Sequence, residues 1–159
     1  MNLIKRGFRI LREEGSTTFI KTSSSYVFRK VVLIIVDVGV GYGGAPFIAR
    51  KLIKLVENTN DVQDAITLAF SFRYLYVSIK PNQIEYEIAK LLELVRNIKP
   101  NFILEIGTAD GGSLFLFTRV AQPDATIISI DLPGGKFGGG YPKWKIPIYK
   151  AFAREGQRV

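Results

Sequence analysis

Between Phe102 and Asp131 the sequence changes character several times, and that order constrains the fold more than any other feature of the chain. Phe102–Ile106 is a short apolar run that reads as a strand. Gly107 to Gly112 is a glycine-bearing turn, and Ser113 to Ala121 is a Leu- and Phe-rich helix. Gln122-Pro123-Asp124 turns the chain again. Thr126–Ile130 is β-branched and ends at Asp131. A strand–helix–strand unit of about 30 residues has the length that a right-handed parallel crossover needs. The unit therefore predicts an α/β fold built on a parallel strand pair.

The same stretch carries chemistry. Gly107 and Gly111 let the chain turn sharply and let its backbone approach a ligand closely. A helix that begins near Gly112 offers free N–H groups and a positive dipole end to an anionic group. Asp131, 20 residues beyond Gly111 and at the end of the next strand, stands where a carboxylate can accept hydrogen bonds from ribose hydroxyls. The plainer reading is a crossover whose glycines only make the turn. Ala109 replaces the middle glycine that lets a pyrophosphate approach, which disfavours NAD. A ligand with a nucleoside but no pyrophosphate fits better, and S-adenosylmethionine is such a ligand.

A second glycine motif, Gly39-Val40-Gly41-Tyr42-Gly43-Gly44, also fits the dinucleotide pattern, with an apolar run before it and a helix after it. It lacks a second strand ending in an acid, because Ile66 to Phe70 is followed by Ser71-Phe72-Arg73. Its plainer reading is a flexible glycine turn. Nucleotide binding through Gly39–Gly44 is kept as an alternative.

Leu104-Glu105-Ile106-Gly107-Thr108-Ala109-Asp110-Gly111-Gly112-Ser113, followed by Ile128-Ser129-Ile130-Asp131-Leu132-Pro133, resembles the first two motifs of class I S-adenosylmethionine-dependent methyltransferases. The tail Gly134-Gly135-Lys136-Phe137-Gly138-Gly139-Gly140-Tyr141 and the helix entry Pro81-Asn82-Gln83 resemble the cephalosporin-hydroxylase-like branch. The resemblance covers residues 79–159. It implies a methyltransferase with S-adenosylmethionine as cofactor and a small-molecule or saccharide-type acceptor. By the same resemblance, Glu105 organises the turn and approaches the methionine ammonium. Gly107, Thr108 and Gly111 line the methionine and ribose, and Gly112 and Ser113 present helix N-terminal donors. Asp131 holds the ribose hydroxyls, and Gln83 contacts the cofactor from the preceding helix. No metal ligand and no general base is assigned. Asp110 and Tyr141 are the nearest candidates for a base, and they read as a turn residue and a packing aromatic. The expected architecture is a helical N-terminal region, residues 1–78, followed by the first βαβ unit of a Rossmann-like methyltransferase sheet, residues 79–159. Such a sheet has seven strands, so the domain is expected to be truncated. A non-catalytic interaction or membrane-associated module is a further alternative.

Elsewhere the chain reads as helices. Pro46 to Glu57 and Asp61 to about Phe72 are two of them, the second capped by Asp61. Asn82 to Ile98 is a third, with Asn82 and Glu85 spaced as a capping box. Pro147 to Glu155 is the last. Residues 1–15 form an amphipathic basic segment, read as a helix packed on its own domain, with weak peripheral membrane contact as the rival reading. Residues 16–25 read as a loop. Val31 to Gly44 is too short and too glycine-rich to span a membrane, and without a secretory segment the expected location is cytoplasmic. The chain contains no His and no Cys, which excludes Cys/His zinc sites and His-based nucleophilic machinery. Methyl transfer needs neither. The net charge of +8 is concentrated in residues 1–30, with seven basic against two acidic side chains, so no nucleic-acid partner is expected. Association into an oligomer is an expectation of the incomplete sheet, whose edge exposes backbone groups.

Overall fold

In the computed structural model, residues 39, 43–59, 61–74, 77–132 and 140–159 are described. The segments 1–15 and 16–25, most of Val31 to Gly44 including Gly41, and the glycine-rich stretch 133–139 lie outside them. The described residues from Gly43 onward include five α-helices, a small parallel sheet, a short antiparallel ladder and a 3₁₀ turn, an α/β arrangement within one compact unit.

Helix α1 (Gly44–Glu57) buries Ala45, Ile48, Ala49 and Leu52, a stripe at helical spacing. Asp61 has extended backbone, and its carboxylate accepts the Asp64 N–H at 2.8 Å, which starts α2 (Val62–Ser71) as the sequence predicts. Ile66 to Phe70 lies inside α2 and supplies no second strand for the Gly39–Gly44 motif. A two-residue antiparallel ladder follows, β1 (Arg73–Tyr74) with β2 (Val77–Ser78).

Helix α3 (Glu85–Ile98) starts three residues later than its sequence suggests. Ile84 stands at its N-cap, and no side chain caps it, so the Asn82–Glu85 capping box is not formed. The Ile79–Pro81 backbone packs closely against Gly112 just before α3, and Ile84 at the N-cap has extended backbone. Along α3, Ile88 and Leu92 are buried and Val95 is half-buried, whereas Ile84, Leu91 and Ile98 are exposed.

Strands β3 (Phe102–Ile106) and β4 (Thr126–Ile130) pair in parallel, Phe102 with Thr126 through Ile106 with Ile130. Their bounds are those that the sequence predicts. Helix α4 (Gly112–Val120) connects them and is buried along nearly its whole length. Along both strands burial alternates. Glu105 and Ile127 face the helices, and Phe102, Leu104, Ile106, Ile128 and Ile130 are exposed on the other face.

After a 3₁₀ turn (Lys143–Lys145), α5 (Ile146–Lys150) is shorter than the predicted Pro147–Glu155 helix. Its end tightens through Phe152 N–H to Tyr149 C=O and Ala153 N–H to Lys150 C=O. The Arg119 guanidinium also takes the Phe152 carbonyl. Gln157 then anchors the chain, donating to the carbonyls of Thr118 and Gln122 while accepting from Arg154 N–H. Arg158 lies parallel to the outer edge of β4: the Ile127 N–H donates to its carbonyl at 2.8 Å, and its own N–H donates to Ala125 C=O at 3.0 Å. One core runs from Ala45 and Ile48 through Phe115 to Phe152.

Candidate functional site

The site forms where β3 and β4 end and the chain turns into α4. Leaving β3, Gly107 takes φ +97° and donates its N–H to Ile130 C=O at 2.7 Å, which ties the turn to the end of β4. Gly111, at φ +85°, donates to Thr108 C=O at 2.7 Å and delivers the chain into α4. Ala109 between them also has positive φ, 45°. That cost is held by two clamps on its peptide groups. Asp131 Oδ2 accepts the Ala109 N–H at 2.7 Å, and Tyr149 donates its hydroxyl to the Ala109 carbonyl at 2.8 Å.

Beneath the turn lies Glu105, 8% exposed. One carboxylate oxygen accepts from Ser113 Oγ and the other from Ser129 Oγ, each at 2.5 Å. Ser129 stands directly opposite Glu105 in the parallel register. Because the Ser129 proton goes to Glu105, the 2.6 Å contact between Thr108 Oγ1 and Ser129 Oγ has Thr108 as its donor. Burial pushes the Glu105 carboxyl above its usual range; the two serine hydrogen bonds pull it back, and the Asp131 charge adds to the rise. Asp131 Oδ1 accepts the Leu132 N–H at 2.7 Å. Among the described residues two of its roughly four lone-pair sites are thus used, which leaves the others for a ligand hydroxyl. Helix α4 has no side-chain cap, so its first-turn N–H groups face the turn without a capping partner.

Seven of the eight residues singled out from sequence, namely Glu105, Gly107, Thr108, Gly111, Gly112, Ser113 and Asp131, are thus assembled at one end of the parallel pair. Gln83 is exposed and makes no side-chain hydrogen bond among the described residues. It lies two residues beyond Pro81, whose ring packs on Gly112. Three contributors escaped the sequence reading. Ser129 was signalled by a hydroxyl flanked by isoleucines in an apolar strand. Tyr149 and Lys145 come from far along the chain and carried no local signal. Lys145 pairs with Asp110 at 2.7 Å, and Tyr141 packs edge-on against Tyr149 with ring centroids 4.8 Å apart. Asp110 and Tyr141 therefore serve as turn residue and packing aromatic. Burial, reinforced by the Asp110 charge, pushes the Tyr149 phenol far upward and keeps it a hydrogen-bond donor.

A parallel βαβ unit with a glycine turn, an uncapped helix start and a carboxylate at the end of the second strand is an α/β arrangement, and in open α/β sheets ligands bind at this end of the strands. Comparison narrows the class. Residues 66–134 match the family described as rhamnosyl O-methyltransferase/CmcI, a methyltransferase family. The match covers less than half of the chain and includes both motifs on which the resemblance rests. No curated protein and no solved structure matches the chain.

Proposed function

We propose that the turn between β3 and α4 binds S-adenosylmethionine and that the chain serves O-methyl transfer to a sugar hydroxyl. The observation that carries this reading is the assembly of Glu105, Gly107, Gly111 and Asp131 at the C-terminal end of a parallel strand pair, within the segment matched by an O-methyltransferase family. The residues fit the cofactor on structural grounds. Among the described residues a Cβ built on Gly107 meets no atom within 4 Å, so the space beside that glycine is open. The donor set is right for a cationic amino acid joined to a ribose: a buried carboxylate below, a second carboxylate with free lone pairs, and helix N–H groups.

S-adenosylmethionine supplies an activated methyl group on a sulfonium. In the proposed role Asp131 holds the ribose hydroxyls. Gly107, Thr108 and Gly111 shape the floor, and the first turn of α4 receives the methionine carboxylate. Glu105 fixes the turn through Ser113 and Ser129 and places negative charge beneath it. The protein's contribution is then positioning and exclusion of water. Neither requires the His and Cys that the chain lacks.

Isothermal titration of the whole chain with S-adenosylmethionine tests this. Saturable binding is expected, weakened by about tenfold or more in Asp131→Ala through loss of charge-assisted hydrogen bonds. A folded chain that shows no binding, or equal binding in Asp131→Ala, overturns the assignment.

A further inference from the structure

At the other end of the strands lies a second cleft, of about 920 Å³. It opens between the C-terminal ends of α1, α3 and α4 and the segment after α5. Gln122, just before β4, lines it, so it sits at the strand starts. A five-residue strand separates it from Asp131 by about 16 Å.

Four cations line this cleft: Arg96, Lys99, Arg119 and Arg154. Arg119 is the innermost. Its guanidinium donates to Thr118 Oγ1 and the Phe152 carbonyl and lies 5.2 Å from the Phe115 ring centroid. Those partners are neutral, and among the described residues no carboxylate forms an ion pair with it. A guanidinium has five N–H donors, and two are occupied. Burial, and then the charge of Arg154, lower the Arg119 pKa to about 10, which leaves it cationic at neutral pH beside a second cation. Three acids share the lining: Glu57, Asp61 and Glu155. Asp61 is engaged as the α2 cap. Among the described residues, none of the four cations is in an ion pair with any of the three acids.

We infer that this cleft binds a small phosphate-bearing polyanion of the pyrophosphate type, held by Arg154, Arg96 and Lys99 beside the half-buried charge of Arg119. Several converging cations suit a ligand with at least two negative charges. Guanidinium forks match phosphate oxygens in pairs. The volume lies within the range of small-molecule sites. Arg96, Lys99 and Arg154 are exposed around the half-buried Arg119, so a soluble anion has access to them. Arg96 and Arg119 stand in the last turns of α3 and α4, where a cation also complements the helix dipole. That role alone would affect stability and leave no anion affinity.

The test is titration of the whole chain with inorganic pyrophosphate, on the wild type, Arg154→Gln, the double variant Arg96→Gln/Lys99→Gln, and Asp131→Asn. Arg119 is left intact because it supports the end of α5. Saturable binding with one site is expected. It should weaken by about tenfold or more in each cleft variant and stay unchanged in Asp131→Asn. Circular dichroism checks that each variant is folded, and a pyrophosphate-dependent rise in melting temperature provides the second reading. Heats that never saturate overturn the proposal, as does equal affinity in both folded cleft variants. So does capture on phosphatidylcholine vesicles carrying phosphatidylserine that depends on these cations and resists competition by pyrophosphate.

Discussion

Glu105 is a carboxylate whose burial makes sense only through what it holds. Its two oxygens join Ser113 at the start of α4 to Ser129 on β4, so one side chain pins helix, turn and both strands. Burial raises its pKa from the ordinary 4.5, which means that the folded chain binds this proton more tightly than the unfolded chain does. Stability from this group is therefore full below 4.5 and is lost as pH rises from there toward the raised folded value. Glu105→Gln removes the titration yet can still bond both serines, accepting from one and donating to the other. The expected outcome is a smaller fall in melting temperature for Glu105→Gln than for wild type over that pH window, measured by thermal unfolding at a series of pH values. Parallel curves for the two proteins would show that the Glu105 proton is not linked to folding. Ser129, opposite Glu105, could be read from sequence once the parallel register was assumed, because a hydroxyl in an apolar strand needs a partner. The Tyr149 clamp on Ala109 could not, since 40 residues separate its ends.

At the scale of elements, α4 organises the rest. It is buried almost throughout and touches α2, α3 and the ring of Phe152, which meets Phe115 at 5.4 Å. Its first residue, Gly112, is fixed by close approach: a Cβ there would press on the Ile79 carbonyl and the Pro81 ring. Backbone cannot yield as a flexible side-chain end can. Gly112→Ala should therefore destabilise the fold by about 1–3 kcal/mol, the usual cost of overpacking. Gly43→Ala, where a Cβ meets nothing within 4 Å among the described residues, serves as the matched control and should be close to neutral. Denaturant unfolding of the two variants decides it, and equal midpoints would mean that the Ile79–Pro81 segment moves away freely. The same contact explains what the sequence concealed. Strands β3 and β4, helix α4 and the Asp61 cap follow from short-range apolar patterning and turn chemistry, which act within a few residues. The late start of α3 and the early end of α5 depend on Gly112, Arg119 and Gln157, partners supplied by tertiary packing, and local propensity yields to them.

For the whole molecule, the sheet is asymmetric. Helices cover one face of β3 and β4, while the other presents Phe102, Leu104, Ile106, Ile128 and Ile130, with Ile106 84% exposed. The face continues onto α3 through a groove of about 220 Å³ lined by Leu91, Ile98, Phe102 and Leu104. Strands that are apolar on both sides belong to parallel sheets covered on both sides, and this is why both runs were legible as strands before their faces could be told apart. Among the described residues no helix is long and apolar enough to cross a membrane. A contiguous apolar face of this kind binds apolar probes. The neutral dye Nile red should therefore fluoresce strongly with the wild-type chain, and the double variant Leu104→Lys/Ile128→Lys should lose most of that signal. Because both side chains point away from the core, each substitution should change stability by only about 0.5 kcal/mol. A neutral dye keeps the reading separate from the cationic cleft at the strand starts. Undiminished fluorescence in the folded double variant would place the dye elsewhere and show that this face is not what an apolar ligand meets first.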